Sequence, residues 1–180
     1  MALGAADGTA TLLVPSWNTT GAFIASDAAV TGIHAESAQV TPVDVEVRSI
    51  DSLVDELGIE RLDVLKIDVE GLEDAVLAGA ERTLERFRPV TILEFNVFTL
   101  SVFAGRNPLD FLVDVVERFP HVLAVDQTGA VESVAALAGM YGITLRCFTN
   151  GWVIDLVCSW DAIDPVAIGT PGMVATTRPT

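Results

Sequence analysis

Three carboxylates and one glycine carry the chemistry that this chain offers: Asp68, Glu70 and Glu94, with Gly71 directly after the first two. Clustered acids can take a proton from a hydroxyl, orient a polar acceptor or face a cationic group, and like charges held together raise one another's proton affinity. Asp68 and Glu70 end the run Leu65-Lys66-Ile67-Asp68-Val69-Glu70-Gly71, and Glu94 ends Pro89-Val90-Thr91-Ile92-Leu93-Glu94. A purely structural reading stands beside the chemical one. In it Asp68 or Glu70 caps the following helix, Glu73 completes a capping box with Glu70, and Gly71 permits a tight turn. Period-two alternation favours chemistry. It sets Lys66, Asp68 and Glu70 on one face of a strand that should be apolar on both faces, and a polar face there is costly unless paired or used.

The elements that must position these groups follow from hydrophobic spacing. Asp63 to Ile67 predicts a short buried strand, and Leu72 to Phe87 one amphipathic helix with Leu72, Val76, Ala80, Leu84 and Phe87 on its apolar stripe. Pro89 to Phe95 predicts a second strand. Strand, helix, strand makes the two strands parallel neighbours joined by a right-handed crossover, and open parallel sheets take ligands at the carboxyl ends of their strands. Phe95 to Leu100 then reads as a substrate-side loop leaving such an end.

Elsewhere, Thr9 to Val14, Val43 to Val47, Val122 to Val125 and Val153 to Val157 read as strands, and Val131 to Met140 as a helix or a loosely ordered insertion. Asp51 to Leu57 predicts a helix capped near Ser49 and ended by Gly58. Asn107-Pro108 starts a helix that buries Leu109, Leu112, Val113, Val116 and Phe119. Ala25 to Pro42 is undecided; in the polar loop before it, Trp17, Asn18 and Thr20 either touch a substrate or only order the turn. The prolines and glycine after Asp164 predict an irregular tail over 164–180, leaving 1–163 in one domain.

A length of 180 residues with 51% hydrophobic content suffices for one α/β domain. The net charge of -15 argues against nucleic acid or an anionic membrane as partner. Without a secretory pattern or an apolar run of membrane-spanning length, the expectation is a cytoplasmic protein in which Cys147 and Cys158 stay reduced. His34 and His121 have no companions at metal-ligand spacing, so no metal is expected, although the acid cluster leaves Mg²⁺ open as an alternative. Lys66, the only lysine, reads either as an internal ion-pair partner or as an amine nucleophile.

Val47-Arg48-Ser49-Ile50-Asp51-Ser52-Leu53, then Leu62 to Glu73, Val76-Leu77-Ala78-Gly79-Ala80 and Arg88 to Glu94 together resemble the FkbM family of S-adenosylmethionine-dependent methyltransferases. The resemblance implies a class I, Rossmann-like fold, mostly parallel, with flanking helices and an antiparallel strand near its C-terminal edge. It also implies methyl transfer from S-adenosylmethionine to a hydroxyl oxygen on a small molecule, a sugar or secondary metabolite. On that reading Asp68 borders the cofactor's methionine end with Gly71 beside it, while Glu70 or Glu94 orients or deprotonates the acceptor. The family's first strand, glycine-rich turn and second-strand acid have no counterpart here; Gly4 and Gly8 stand in a G-x-x-x-G spacing instead. The chain is therefore expected to be the C-terminal portion of one methyltransferase domain, with the strand at Val64 to Ile67 left as an apolar edge open to another chain. The competing function is a non-catalytic or vestigial interaction module.

Overall fold

Val64–Ile67 (β5) and Val90–Asn96 (β6) lie side by side in the same direction, with Lys66 opposite Ile92 and Ile67 opposite Leu93. The computed structural model that shows this describes residues 1–16, 22–24, 40–151 and 153–169. It forms two sheets. Ala2–Leu3 (β1), Gly8–Pro15 (β2), Phe23–Ile24 (β3) and Val40–Arg48 (β4) make one, in the order β1-β4-β2-β3. The other runs β5-β6-β9-β7-β8, adding His121–Val125 (β7), Val131–Ser133 (β8) and Val153–Ser159 (β9).

The expectation of a mostly parallel sheet is corrected here. In the five-stranded sheet only β5 and β6 pair in parallel; β6 with β9, β9 with β7, and β7 with β8 are all antiparallel. The cause is β9, which slots between β6 and β7 and runs against both. Each like-directed contact it displaces is replaced by two opposed ones. β8 then returns on β7 as a hairpin through the Asp126 turn, whose carboxylate accepts from Thr128 N and Ala130 N.

One face of this sheet is buried and the other is partly open. Register places Ile67, Leu93, Leu156 and Ala124 on one face with Phe95, Cys158 and Val122, and all of them join a single core cluster. The same cluster takes Val54 from Ile50–Leu57 (α1), Val76 from Glu73–Ala78 (α2), Leu84 from Glu81–Phe87 (α3), Leu100 from Val97–Val102 (α4), Phe111 from Pro108–Arg118 (α5) and Ile143 from Leu137–Arg146 (α6). The opposite face carries Lys66, Ile92, Glu94 and Asp155. Among the described residues β5 is an edge strand, with Val64 exposed.

α1 matches its sequence signals: Ser49 Oγ accepts from Ser52 N at 3.1 Å, and Gly58 closes the helix. The single helix expected over Leu72 to Phe87 is instead two, broken at Gly79-Ala80. The carbonyl of Gly4 lies 2.1 Å from where a Cβ on Gly79 would sit, so the chain passes too close for any side chain. Asp51 then begins the second helix from outside. Its backbone N donates to the Gly79 carbonyl, and its carboxylate accepts from Arg82 N, Thr83 N and Thr83 Oγ1 at 3.1, 2.8 and 2.7 Å. Burial pulls the Asp51 carboxyl up, but these bonds outweigh it and hold the group below the usual range. Asp51→Ala should therefore cost about 1–2 kcal/mol in urea unfolding at neutral pH. Because the native pKa is depressed, that difference should shrink as the medium is acidified through it.

Three further expectations change. α5 turns Phe111, Leu112 and Val115 inward, with Leu109, Val113 and Val116 only partly covered, so its buried stripe is rotated from the expected one. The segment Val131 to Met140 is a strand and then the start of α6, and Pro165–Gly169 (α7) is a short helix in the supposed irregular tail. Both cysteines are free and buried. Among the described residues no helix is long and apolar enough to cross a membrane.

Candidate active site

β5 ends at Ile67, and the chain turns into α2 through Asp68, Val69, Glu70, Gly71 and Leu72. Glu70 takes φ 56° and Gly71 φ 102°, so the extended alternation stops before Glu70. That corrects the expected Lys66, Asp68, Glu70 stripe: only Lys66 and Asp68 keep it, with Nζ to Oδ2 at 2.6 Å. The pair faces solvent rather than the interior, with 54% and 42% of the two side chains exposed, and such pairs add little stability.

The turn is held from beneath. Glu73, 2% exposed, places Oε1 at 3.2 Å from both Val69 N and Gly71 N, whereas Leu72 at the helix start offers no side-chain cap. A capping box between Glu70 and Glu73 is thus replaced by a reach from Glu73 to the amides flanking Glu70. Gly71 packs on α4: a Cβ there would lie 2.7 Å from the Thr99 carbonyl oxygen. The turn after β5 and the helix after β6 are locked together at this point.

Glu94 projects from β6 opposite Asp155 of β9. Two residues on, Asn96 serves both site and fold: its Nδ2 donates to Glu94 Oε1 at 3.3 Å, and its Oδ1 accepts from Phe98 N and Thr99 N. This side-chain cap starts α4 at Val97, so the loop expected over Phe95 to Leu100 is the end of a strand followed by a helix.

The electrostatics tie these groups into one cluster. Burial first, then the charges of Asp68 and Glu70, push the half-buried Glu94 carboxyl up against opposing pulls from Asn96 and Lys66. Burial and Asp68 push Glu70 up. Burial raises Glu73 to about 7, the bonds from Val69 and Gly71 oppose it, and the charge of Glu94 adds to it. Lys66 is raised by its bond to Asp68 and further by the charges of Asp68, Asp155 and Glu94. Asp68, Glu70 and Glu94 thus lie near enough to feel one another's charge. The structure adds Glu73 and Asp155, which the sequence reading did not assign to the site. Glu73 had a local signal, an acid at the head of an otherwise apolar helix stripe. Asp155 had none, because its place depends on strand register.

Among the described residues no group of three or more His, Cys, Asp or Glu side chains is arranged to hold a metal ion. His121 lies exposed at the start of β7, the opposite end of the sheet from the acids. Trp17, Asn18, Thr20 and His34 lie outside the described residues. A cavity of about 220 Å³ opens near the carboxyl end of β7, between Asp126, Thr128, Arg146, Cys147 and Val153. Burial pushes its Cys147 thiol up to about 11, against the pull of Arg146, which disfavours the thiolate.

Acids at the carboxyl ends of adjacent parallel strands stand where α/β sheets take their ligands. Residues 1–126 match the family model described as the Methyltransferase FkbM domain, and the chain belongs to that family. It is 32% identical over 78 residues to 2-O-methyltransferase NoeI of Sinorhizobium fredii, covering 43% of this chain and 31% of the relative. It is also 35% identical over 86 residues to AMB antimetabolite synthetase AmbE of Pseudomonas aeruginosa, covering 47% of this chain and 4% of that protein. The matched stretches span a third or less of these curated relatives. No solved structure matches the chain.

Proposed function

We propose that this chain takes part in S-adenosylmethionine-dependent methylation of a hydroxyl oxygen on a small molecule such as a sugar or secondary metabolite. The parallel pairing of β5 and β6 carries the reading, because it sets Asp68, Glu70 and Glu94 at one sheet end. Family membership supports it, as does the likeness to a 2-O-methyltransferase. The donor set fits the methionine end of the cofactor: carboxylates accept from an ammonium and attract a sulfonium, and Lys66 feels the charges of Asp68, Asp155 and Glu94. When bound, S-adenosylmethionine supplies an electrophilic methyl group on a positively charged sulfur.

The chain's own residues divide the remaining work. Asp68, steadied by Lys66, faces the methionine end beside the Gly71 turn. Glu94 accepts the acceptor hydroxyl's proton, since burial and neighbouring charge raise its affinity for protons, and Glu70 orients the acceptor. The acid-rich, net-negative chain supports a small-molecule rather than a nucleic-acid partner. Unpaired cysteines suit a reducing compartment and support a cytoplasmic setting.

Calorimetry with S-adenosylmethionine tests the proposal. A saturable heat is expected, weakened about tenfold in Asp68→Asn, the loss of one charge-assisted contact. Absence of binding would overturn methyl transfer for this chain and favour a non-catalytic interaction module.

A further inference from the structure

Glu73 is buried at the head of α2, yet none of the roles above uses it. Its Oε1 bridges the amides of Val69 and Gly71, which bracket Glu70, and its Oε2 is buried without a hydrogen-bond partner among the described residues. A buried carboxyl with one oxygen unsatisfied is costly, so it persists only where something else depends on it. What depends on it is the turn. Glu70 and Arg88 are the two non-glycine residues with positive φ among the described residues, and strained backbone persists only when its surroundings over-determine it. Around Glu70 that support comes from the Glu73 carboxyl beneath and from the Thr99 carbonyl, against which Gly71 is pressed.

Resting on the methyl-transfer reading, we propose that Glu73 is a positioning residue: by clamping the amides on either side of Glu70, it delivers Asp68 and Glu70 to the acidic face. It does so without touching substrate. The charge of Glu94 on β6 acts on Glu73, and those of Asp68, Glu70 and Lys66 act on Glu94 in turn, so the clamp and the proposed reacting acids share one electrostatic cluster.

Amide NMR of the full chain tests this without relying on activity. In the wild type the Val69 and Gly71 amide protons should shift together with a midpoint near the pKa of about 7 set by burial of Glu73. Glu73→Gln should abolish that titration while both amides stay slow to exchange, because the amide oxygen still accepts. Glu73→Leu should lose their protection and move the Asp68 and Glu70 amides. Where methylation is measured, turnover should fall about tenfold in Glu73→Leu and recover in Glu73→Gln, the cost of misplacing groups by a fraction of an ångström. Val69 and Gly71 amides blind to Glu73, or unchanged Asp68 and Glu70 amides in Glu73→Leu, would overturn the proposal. A wild-type protein that binds no S-adenosylmethionine would instead defeat the methyl-transfer reading, while the amide titration still decides the role of Glu73.

Discussion

Gly71→Ala should lower stability by about 4 kcal/mol, combining backbone strain of about 1–3 kcal/mol with overpacking of about 1–3 kcal/mol. Both contributions are visible. The backbone at Gly71 has φ 102°, where an L side chain is strained, and the added Cβ would lie 2.7 Å from the Thr99 carbonyl oxygen and 2.9 Å from its carbon. Those are backbone atoms of a helix fixed by the Asn96 cap, so they cannot swing aside as a flexible side-chain tip could. For a chain of this size the loss corresponds to a fall in Tm of about 8–16 °C. Gly8→Ala is the matched control, because nothing lies within 4 Å of its added Cβ, and it should cost nothing measurable. A Gly71→Ala loss below about 1 kcal/mol would mean that the turn after β5 relaxes freely, far under the usual cost of such strain. The turn would then be unable to aim Asp68 or Glu70.

The parts of this fold legible in the sequence are those set by neighbours along the chain. Ser49 and Gly58 bound α1, the spacing from Val64 to Phe95 yields a parallel pair, and the acids stand at the strand ends where the runs of apolar residues stop. The parts not legible depend on residues far apart in sequence. The continuous apolar stripe from Leu72 to Phe87 gives no hint that Gly4 presses on Gly79 or that Asp51 caps a second helix at Thr83. Likewise the run Val153 to Val157 reads as a strand but does not say that it inserts between β6 and β7. That insertion makes the sheet largely antiparallel and brings Asp155 opposite Glu94. The candidate site is half legible for the same reason: residue type and position single out Asp68, Glu70 and Glu94 as candidates, while the tie from Glu73 to Val69 and Gly71 requires the positive φ at Glu70, which no pattern of residue types announces.

Glu73 should also leave a mark on stability as a function of pH, with a sign opposite to that of the capping acid Asp51. Its carboxyl is raised from an ordinary 4.5 to about 7, chiefly by burial, so the folded chain binds this proton more tightly than the unfolded one. Its contribution is fully present below pH 4.5, is lost as pH rises toward 7, and stays lost above. At 1.36 kcal/mol per pKa unit the whole window is worth about 3 kcal/mol. Glu70 and Glu94 lean the same way and Asp51 the other, so the profile of the wild type alone does not isolate Glu73. The difference between wild type and Glu73→Gln does. The amide cannot ionise, keeps an oxygen for Val69 and Gly71, and removes the buried charge. Relative to wild type, Glu73→Gln should therefore gain about 3 kcal/mol between pH 4 and pH 8, read from urea unfolding at a series of pH values. Parallel profiles for the two proteins would mean that Glu73 ionises as an exposed acid does. A clamp made from an exposed carboxylate would be hydrated and weak, and the left-handed turn at Glu70 would need another source of support.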